Sequence, residues 1–435
     1  TLASINNSTD NYNTAVGYQA GKTISTGLYN TALGADSLLT NQDGDNNTAV
    51  GYKAMNQFEA DTDGHGENTA FGAYAMRGDD TTPTVSTGTQ NTAIGANAMK
   101  DGVLTGDHNT AVGQNAGKVL TSGVQNVIMG SDAGDALTTG NHNIAIGFRA
   151  LSVEDTGNNS TAIGYYALNK QNNASNNYNV AIGHSSQQEN VTGVYNTTIG
   201  GLTAASMNGA HYNTLVGMQA GTSLTTASYN TAIGTFSLYS EDTTSYNTAV
   251  GYDALKYQNA STNAYSTAVG FQSSRNNRTG IKNTTIGSSA GIGILAGDFN
   301  VAVGYNALYT AGVGNNSTAI GYEALKSQYT TFTETGGATT NGDQSVTHNA
   351  DARIVTGLAV SDSGGGIPAN SFVGVISSGT TFNLVDVNGS AVNATADGSG
   401  LTLTFTGGQD ANNTAVGYNA GYAVTTGTRN TFVGA

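Results

Sequence analysis

Apolar and polar positions alternate along this chain inside one recurring phrase, Asn-Thr-Ala-Val/Ile-Gly. It occurs twenty times, first at Asn13 and last at Asn430, with Ser replacing the leading Asn at Ser160, Ser266 and Ser317. Most of the intervals between copies are about 17 residues, half or less of the roughly 34 to 45 residues that a helix pair or a propeller blade needs. Such a period suits a single coil of a β-solenoid. With the leading residue as position zero, +1 is β-branched, +3 is apolar and +4 is Gly in every copy, while +2 is mostly Ala. This period of two predicts a short strand, with +1 and +3 on one face and zero and +2 on the other. The apolar +3 column assigns the first face to the interior and leaves Ala and Asn as a smooth outer surface. Gly at +4 predicts a sharp corner, where φ > 0 or close backbone approach carries no steric cost. A second corner reads Ser/Thr-Gly-x-x-Asn, as in Thr121–Asn126. Small residues at +7 followed by Leu, Met or Gly at +8 predict the start of a second short strand.

The expected fold class is therefore all-β: a parallel β-solenoid, or β-roll, of about twenty 17-residue coils. The repeats fill residues 1–330 and 409–435. A small β module of different texture interrupts them at residues 331–408, with strand-like runs such as Ser371–Ser377 and Leu401–Gly407. At a strand spacing of about 4.8 Å, twenty coils would extend roughly 90 Å. Each coil buries few apolar side chains against the entropy lost in ordering its whole backbone. A neighbouring chain is the expected remedy, packed on the Ala/Asn surface or on the corner that carries the insertion.

Composition narrows the function classes. Gly accounts for 60 of 435 residues, and Asn and Thr are abundant, all weak helix formers. A net charge of -15 with 14 Lys and Arg disfavours nucleic acid as a partner. Without Cys there is no disulfide or thiolate site. No apolar run reaches the length of a membrane span. Repeats run close to both ends, so the chain reads as a segment of something longer.

Candidate chemistry is sparse. Position -1 carries an aromatic ladder, Tyr178, Tyr195, Tyr212, Tyr229, Tyr246 and Tyr265, then Phe299. It reads as a stiffening stack or as a platform for sugars. Asp61, Asp63 and Glu67 alternate with Gly in one expanded coil, next to Asn41–Asn46, as oxygen ligands for Ca²⁺ would. The pattern does not complete a helix–loop–helix calcium loop, so a solvated loop is expected and no metal site is assigned. Arg77–Asp79 spells an integrin-type triplet that three letters supply by chance. The six His never pair at metal-ligand spacing; His108 and His142 share a column two coils apart. No nucleophile–base set and no carboxylate pair facing a cleft can be placed, so neither catalytic residues nor a cofactor is expected, and the chain reads as a non-enzyme. The Thr column raises ice binding, which an inward-facing +1 would exclude.

The phrase Asn-Ser-Thr-Ala-Ile-Gly (Asn159–Gly164 and Asn316–Gly321) resembles the head repeats of trimeric autotransporter adhesins. That resemblance implies a left-handed β-roll and three packed chains. The fuller phrase Asn13–Gly21 is similar to repeats of phage tail fibres, and Gly364–Gly400 is similar to small modules of phage structural proteins. The resemblance implies the homotrimeric shaft of a phage tail fibre, located on the virion, outside cells. On that reading the insertion is the candidate contact for a host cell-surface glycan or protein receptor. The alternative is an adhesin head on a bacterial cell surface.

Overall fold

A computed structural model describes residues 11–59, 66–79, 85–310, 312, 314–328, 331–351, 354, 356–386, 388–406, 411–424 and 427–434, with Phe332 described by its backbone. All regular elements among them are strands. The chain forms two compact units, residues 1–212 and 213–435. The first carries eleven three-residue strands, from β1 (Thr14–Val16) to β11 (Thr197–Ile199), including β8 (Ile144–Ile146) and β9 (Thr161–Ile163). The second carries β12 (Thr214–Val216) to β18 (Thr318–Ile320), then β25 (Thr414–Val416) and β26 (Thr431–Val433). Within each unit the strands stack as a parallel β-solenoid, like residue over like. Ile144 lies beside Thr161, Ala145 beside Ala162 and Ile146 beside Ile163.

The insertion does not interrupt the second stack. β18 pairs directly with β25, Thr318 beside Thr414, as if they were consecutive coils. Between them β19 (Thr331–Thr339), β20 (Ser345–Thr347), β21 (Ala359–Asp362), β22 (Ser371–Ser378), β23 (Thr381–Val385) and β24 (Gly398–Thr406) close an antiparallel barrel in the order β19-β20-β23-β22-β21-β24. Val346, Val373, Phe382, Leu384, Leu403 and Phe405 fill it, and Ala296 of the solenoid joins this core. The sequence reading missed β19 and β20, whose Thr- and Gly-rich letters carry no apolar alternation.

The two faces of the solenoid strand are the reverse of the sequence expectation. Ala at +2 is fully buried, as in Ala145, Ala162, Ala232 and Ala249, and Asn at zero is buried with it. The +3 residues are turned out: Ile94 is 40 % exposed, Ile233 41 % and Ile286 42 %. The reason is volume. Side chains from positions +7 and +8, such as Ala150 and Leu151, fill the interior together with corner side chains such as Leu120 and Leu137. Only a small +2 side chain fits opposite them at interior packing density. Exceptions obey the same rule. A Cβ added at Gly221 would touch Leu215, and one at Gly117 would meet Ile128, so a large +2 residue takes a Gly at +8 as its neighbour. Polar exceptions are matched as well. Thr198 and Thr285 at +2 meet Ser186 (2.6 Å) and Ser273 (2.8 Å) at +7 of the preceding coil.

Buried Asn is tolerated because its amide is consumed by the stack. Asn91 Oδ1 accepts from Asn109 N at 2.8 Å, and Asn91 Nδ2 donates to Gly106 O at 2.8 Å. The motif recurs along both stacks, for instance from Asn283 to Asn300 N and Gly297 O. Each amide satisfies backbone groups that burial would otherwise leave without partners.

No second strand forms at +7. Instead +6 and +8 adopt left-handed backbone, as does -1, even where they are Lys53, Leu151 or Tyr166. Such non-Gly residues each carry strain and persist only where the surroundings dictate them. Here inter-coil hydrogen bonds do so: Leu151 N donates to Ala167 O and Tyr166 N to Phe148 O, both at 3.0 Å.

One corner adds a pH-sensitive element. Glu241 is fully buried; Oε1 accepts from Thr244 N at 2.9 Å, and Oε2 has no partner. Burial pushes its pKa up to about 7. The folded form therefore holds this proton above the ordinary carboxylate range. Its contribution is fully present below about pH 4.5 and is lost as pH rises through about 7, by on the order of 3 kcal/mol. Glu241→Gln is expected to flatten the stability difference between about pH 5 and about pH 8 in urea titrations. An unchanged slope in that variant would assign the pH dependence to other groups.

Candidate functional site

The outward turn of +1 and +3 gives each unit an exposed apolar face. Strand alternation places the Thr and Val/Ile columns side by side on it. Aromatic residues flank it at -1 and at +5. Tyr178, Tyr195 and Tyr212 are 43–49 % exposed on one side, and Tyr252, Phe271, Tyr305 and Tyr322 are 42–51 % exposed on the other. The +5 column escaped the sequence reading, although its recurring Tyr and Phe directly after Gly were a visible signal.

Geometry decides between the two readings of the Tyr ladder. In the first unit Tyr178 stacks on Tyr195 (5.5 Å between centroids, 13° between planes) and Tyr195 on Tyr212 (5.0 Å, 3°). In the second, Tyr229–Tyr246 and Tyr246–Tyr265 stack at 5.1 and 4.9 Å. Each ring inside a ladder spends both faces on its neighbours, as Tyr195 and Tyr246 do. A sugar stacks on a ring face, so within a ladder the arrangement favours stiffening. The +5 column does the same, with Phe148, Tyr165 and His184 in one stack and Tyr305, Tyr322 and Tyr418 in another. Thr at +1 does face outward, which removes the reason for setting ice binding aside. The bulky exposed Tyr and Phe columns on both sides disfavour a flat crystal plane there.

The remaining candidates do not converge. Asp61 and Asp63 lie outside the described residues, and Glu67 accepts from Gln90 Nε2 at 2.7 Å. Among the described residues no group of three His, Asp or Glu is placed to hold a metal. Arg77 of the integrin-type triplet lies 3.3 Å from Asp101 and is largely buried. His142 meets Gln125 at 2.7 Å, and His348 packs on Phe382 in the barrel. Burial and a hydrogen bond with Asp43 push Glu59 up to about 7. These two carboxyl groups are in contact, which leaves no room for a glycosidic bond between them.

Concave surface gathers where the barrel meets the solenoid corner. Clefts of about 240, 370 and 500 Å³ line that seam. Arg278 and Thr279 tie its two sides: Arg278 donates to Asp386 O (2.7 and 3.1 Å) and Thr279 Oγ1 to Thr356 O (2.8 Å). The Arg278 guanidinium lies 4.9 Å from the Phe372 ring, and burial lowers its pKa from the ordinary value. No helix of the described residues is long and apolar enough to cross a membrane. No family model, no curated protein and no solved structure matches the chain.

Proposed function

We propose that this chain is the shaft of a homotrimeric phage tail fibre, a stiff non-catalytic element that carries the inserted barrel as its host-contact module outside the cell. The observation that carries the reading is the exposed apolar face of each unit, bounded by stacked aromatics. A typical monomer leaves no contiguous apolar patch beyond roughly 300–600 Å². Strand faces that repeat the same four columns suit self-association, because every coil of one copy meets an identical coil of the next. Closed cyclic symmetry would cover the face in all copies. The interface is thus the Thr/Val/Ile face and not the Ala/Asn face. The same assembly would serve an adhesin head; the sequence resemblance of Gly364–Gly400 to small modules of phage structural proteins is what favours the fibre.

Light scattering after size exclusion tests the assembly. The expected mass is three times the 44.0 kDa of a single chain. A stable, folded species of 44.0 kDa would refute self-association.

A further inference from the structure

Four of the chain's 14 Lys and Arg, namely Lys256, Arg275, Arg278 and Lys282, fall within residues 256–282, in a chain of net charge -15. Three of them are accounted for. Lys256 and Arg275 both pair with Asp253, at 3.1 and 3.0 Å, and Lys282 lies over the Phe299 ring at 4.9 Å. Arg278 differs. Its Nη atoms donate to a neutral acceptor, Asp386 O, and its buried Nε has no acceptor. The Asp386 carboxylate is turned into its own loop, accepting from Asn388 N (2.8 Å) and Ser390 N (2.9 Å). No carboxylate among the described residues makes an ion pair with Arg278.

A guanidinium largely withdrawn from bulk water, in contact with a carbonyl and the Phe372 ring and with the Asp386 carboxylate acting only from a distance, is short of negative charge. It has five N–H donors in all, so donors remain after Asp386 is served. Arg278 forms part of the wall of the 240 Å³ cleft, and Ser240, Asn259, Thr279 and Asn388 surround it with hydroxyl and amide groups. Such groups match vicinal hydroxyls, and the fork of a guanidinium matches a carboxylate.

We propose that this cleft binds a carboxylate-bearing saccharide of the uronic acid class, with the carboxylate on Arg278 and ring hydroxyls on Ser240, Asn259 and Asn388. The site needs only the second unit, so it stands whether or not the chain forms trimers.

Calorimetric titration of the full chain with a galacturonate trisaccharide, against the neutral galactose trisaccharide, tests it. The acid is expected to bind at least about tenfold tighter and to weaken with salt. Arg278→Gln is expected to remove that preference. Because Arg278 also tethers the barrel, Asn259→Ala supplies a second arm. Asn259 is exposed and holds no side-chain tether, and its truncation is expected to weaken binding severalfold with an unchanged melting curve. Equal affinity for the two sugars, wild-type affinity in both variants, or no binding at millimolar acid would each overturn the proposal. None of these outcomes alters the mass that tests the shaft.

Discussion

Alanine in place of Gly147 is expected to unfold the coils on either side of it. Gly147 occupies +4, where φ is +127°, and across all twenty copies this column runs from +122° to +141°. L side chains rarely enter that region, at a cost of about 1–3 kcal/mol. A Cβ there would also stand 2.5 Å from Gly164 O of the next coil, and that atom is backbone. Relief would require the two coils to move apart, breaking the inter-coil bond from Gly164 N to Ile146 O. Strain and overpacking together amount to about 3–5 kcal/mol. Gly134, at +8, is the matched control. Its φ is +49° and an added Cβ would lie 3.4 Å from Ile128, an ordinary contact. Leu151 and Ala204 already hold equivalent left-handed positions, so Gly134→Ala is expected to cost only the left-handed strain of about 1–2 kcal/mol. Urea titrations of the two variants give the comparison. Similar losses for both would mean that the +4 corner owes nothing special to the absence of a side chain.

The second large effect separates the two faces of one strand, β13 (Thr231–Ile233). Ala232→Glu puts an unpaired carboxylate among Leu215, Ala249 and Leu238, all fully buried. Burying such a group, together with its added volume, is expected to cost more than about 4 kcal/mol and to abolish folding of the unit. Ile233→Glu, at the next position, places the same charge on a side chain that is 41 % exposed. That variant is expected to keep its far-ultraviolet circular dichroism and to fail in self-association, reading as 44.0 kDa by light scattering. The converse result, with Ile233→Glu unfolded and Ala232→Glu monomeric, would restore the face assignment read from hydrophobicity alone.

Hydrophobicity alone assigns the two faces of the strand the wrong way round, for a physical reason. The +3 column is the most hydrophobic one in the phrase, and in an isolated solenoid such a column belongs inside. An exposed apolar column draws on the same residue types as a core, so hydrophobicity could not distinguish them. The informative signal was the +2 column. It is mostly Ala, yet it becomes Ile128 or Leu215 in coils with Gly at +8, and Thr198 or Thr285 after coils with Ser at +7. Such matched changes mark side chains that touch.

What the letters determined by themselves is the repeat and everything that follows from its period. The strand positions, the parallel register, the Gly corner and the interruption at the barrel all follow, because a stack of like coils imposes the same constraint at each level. Only the tertiary structure decided which face is inside, since that depends on the lumen volume left by side chains from the far side of the coil. It also decided the left-handed backbone at -1, +6 and +8. There, hydrogen bonds between coils override the local preference of residues such as Lys53 and Tyr166. The Arg278 cleft belongs to the same category. Arg278 and Asp386 are 108 residues apart, and no local pattern places a guanidinium on a carbonyl at that separation.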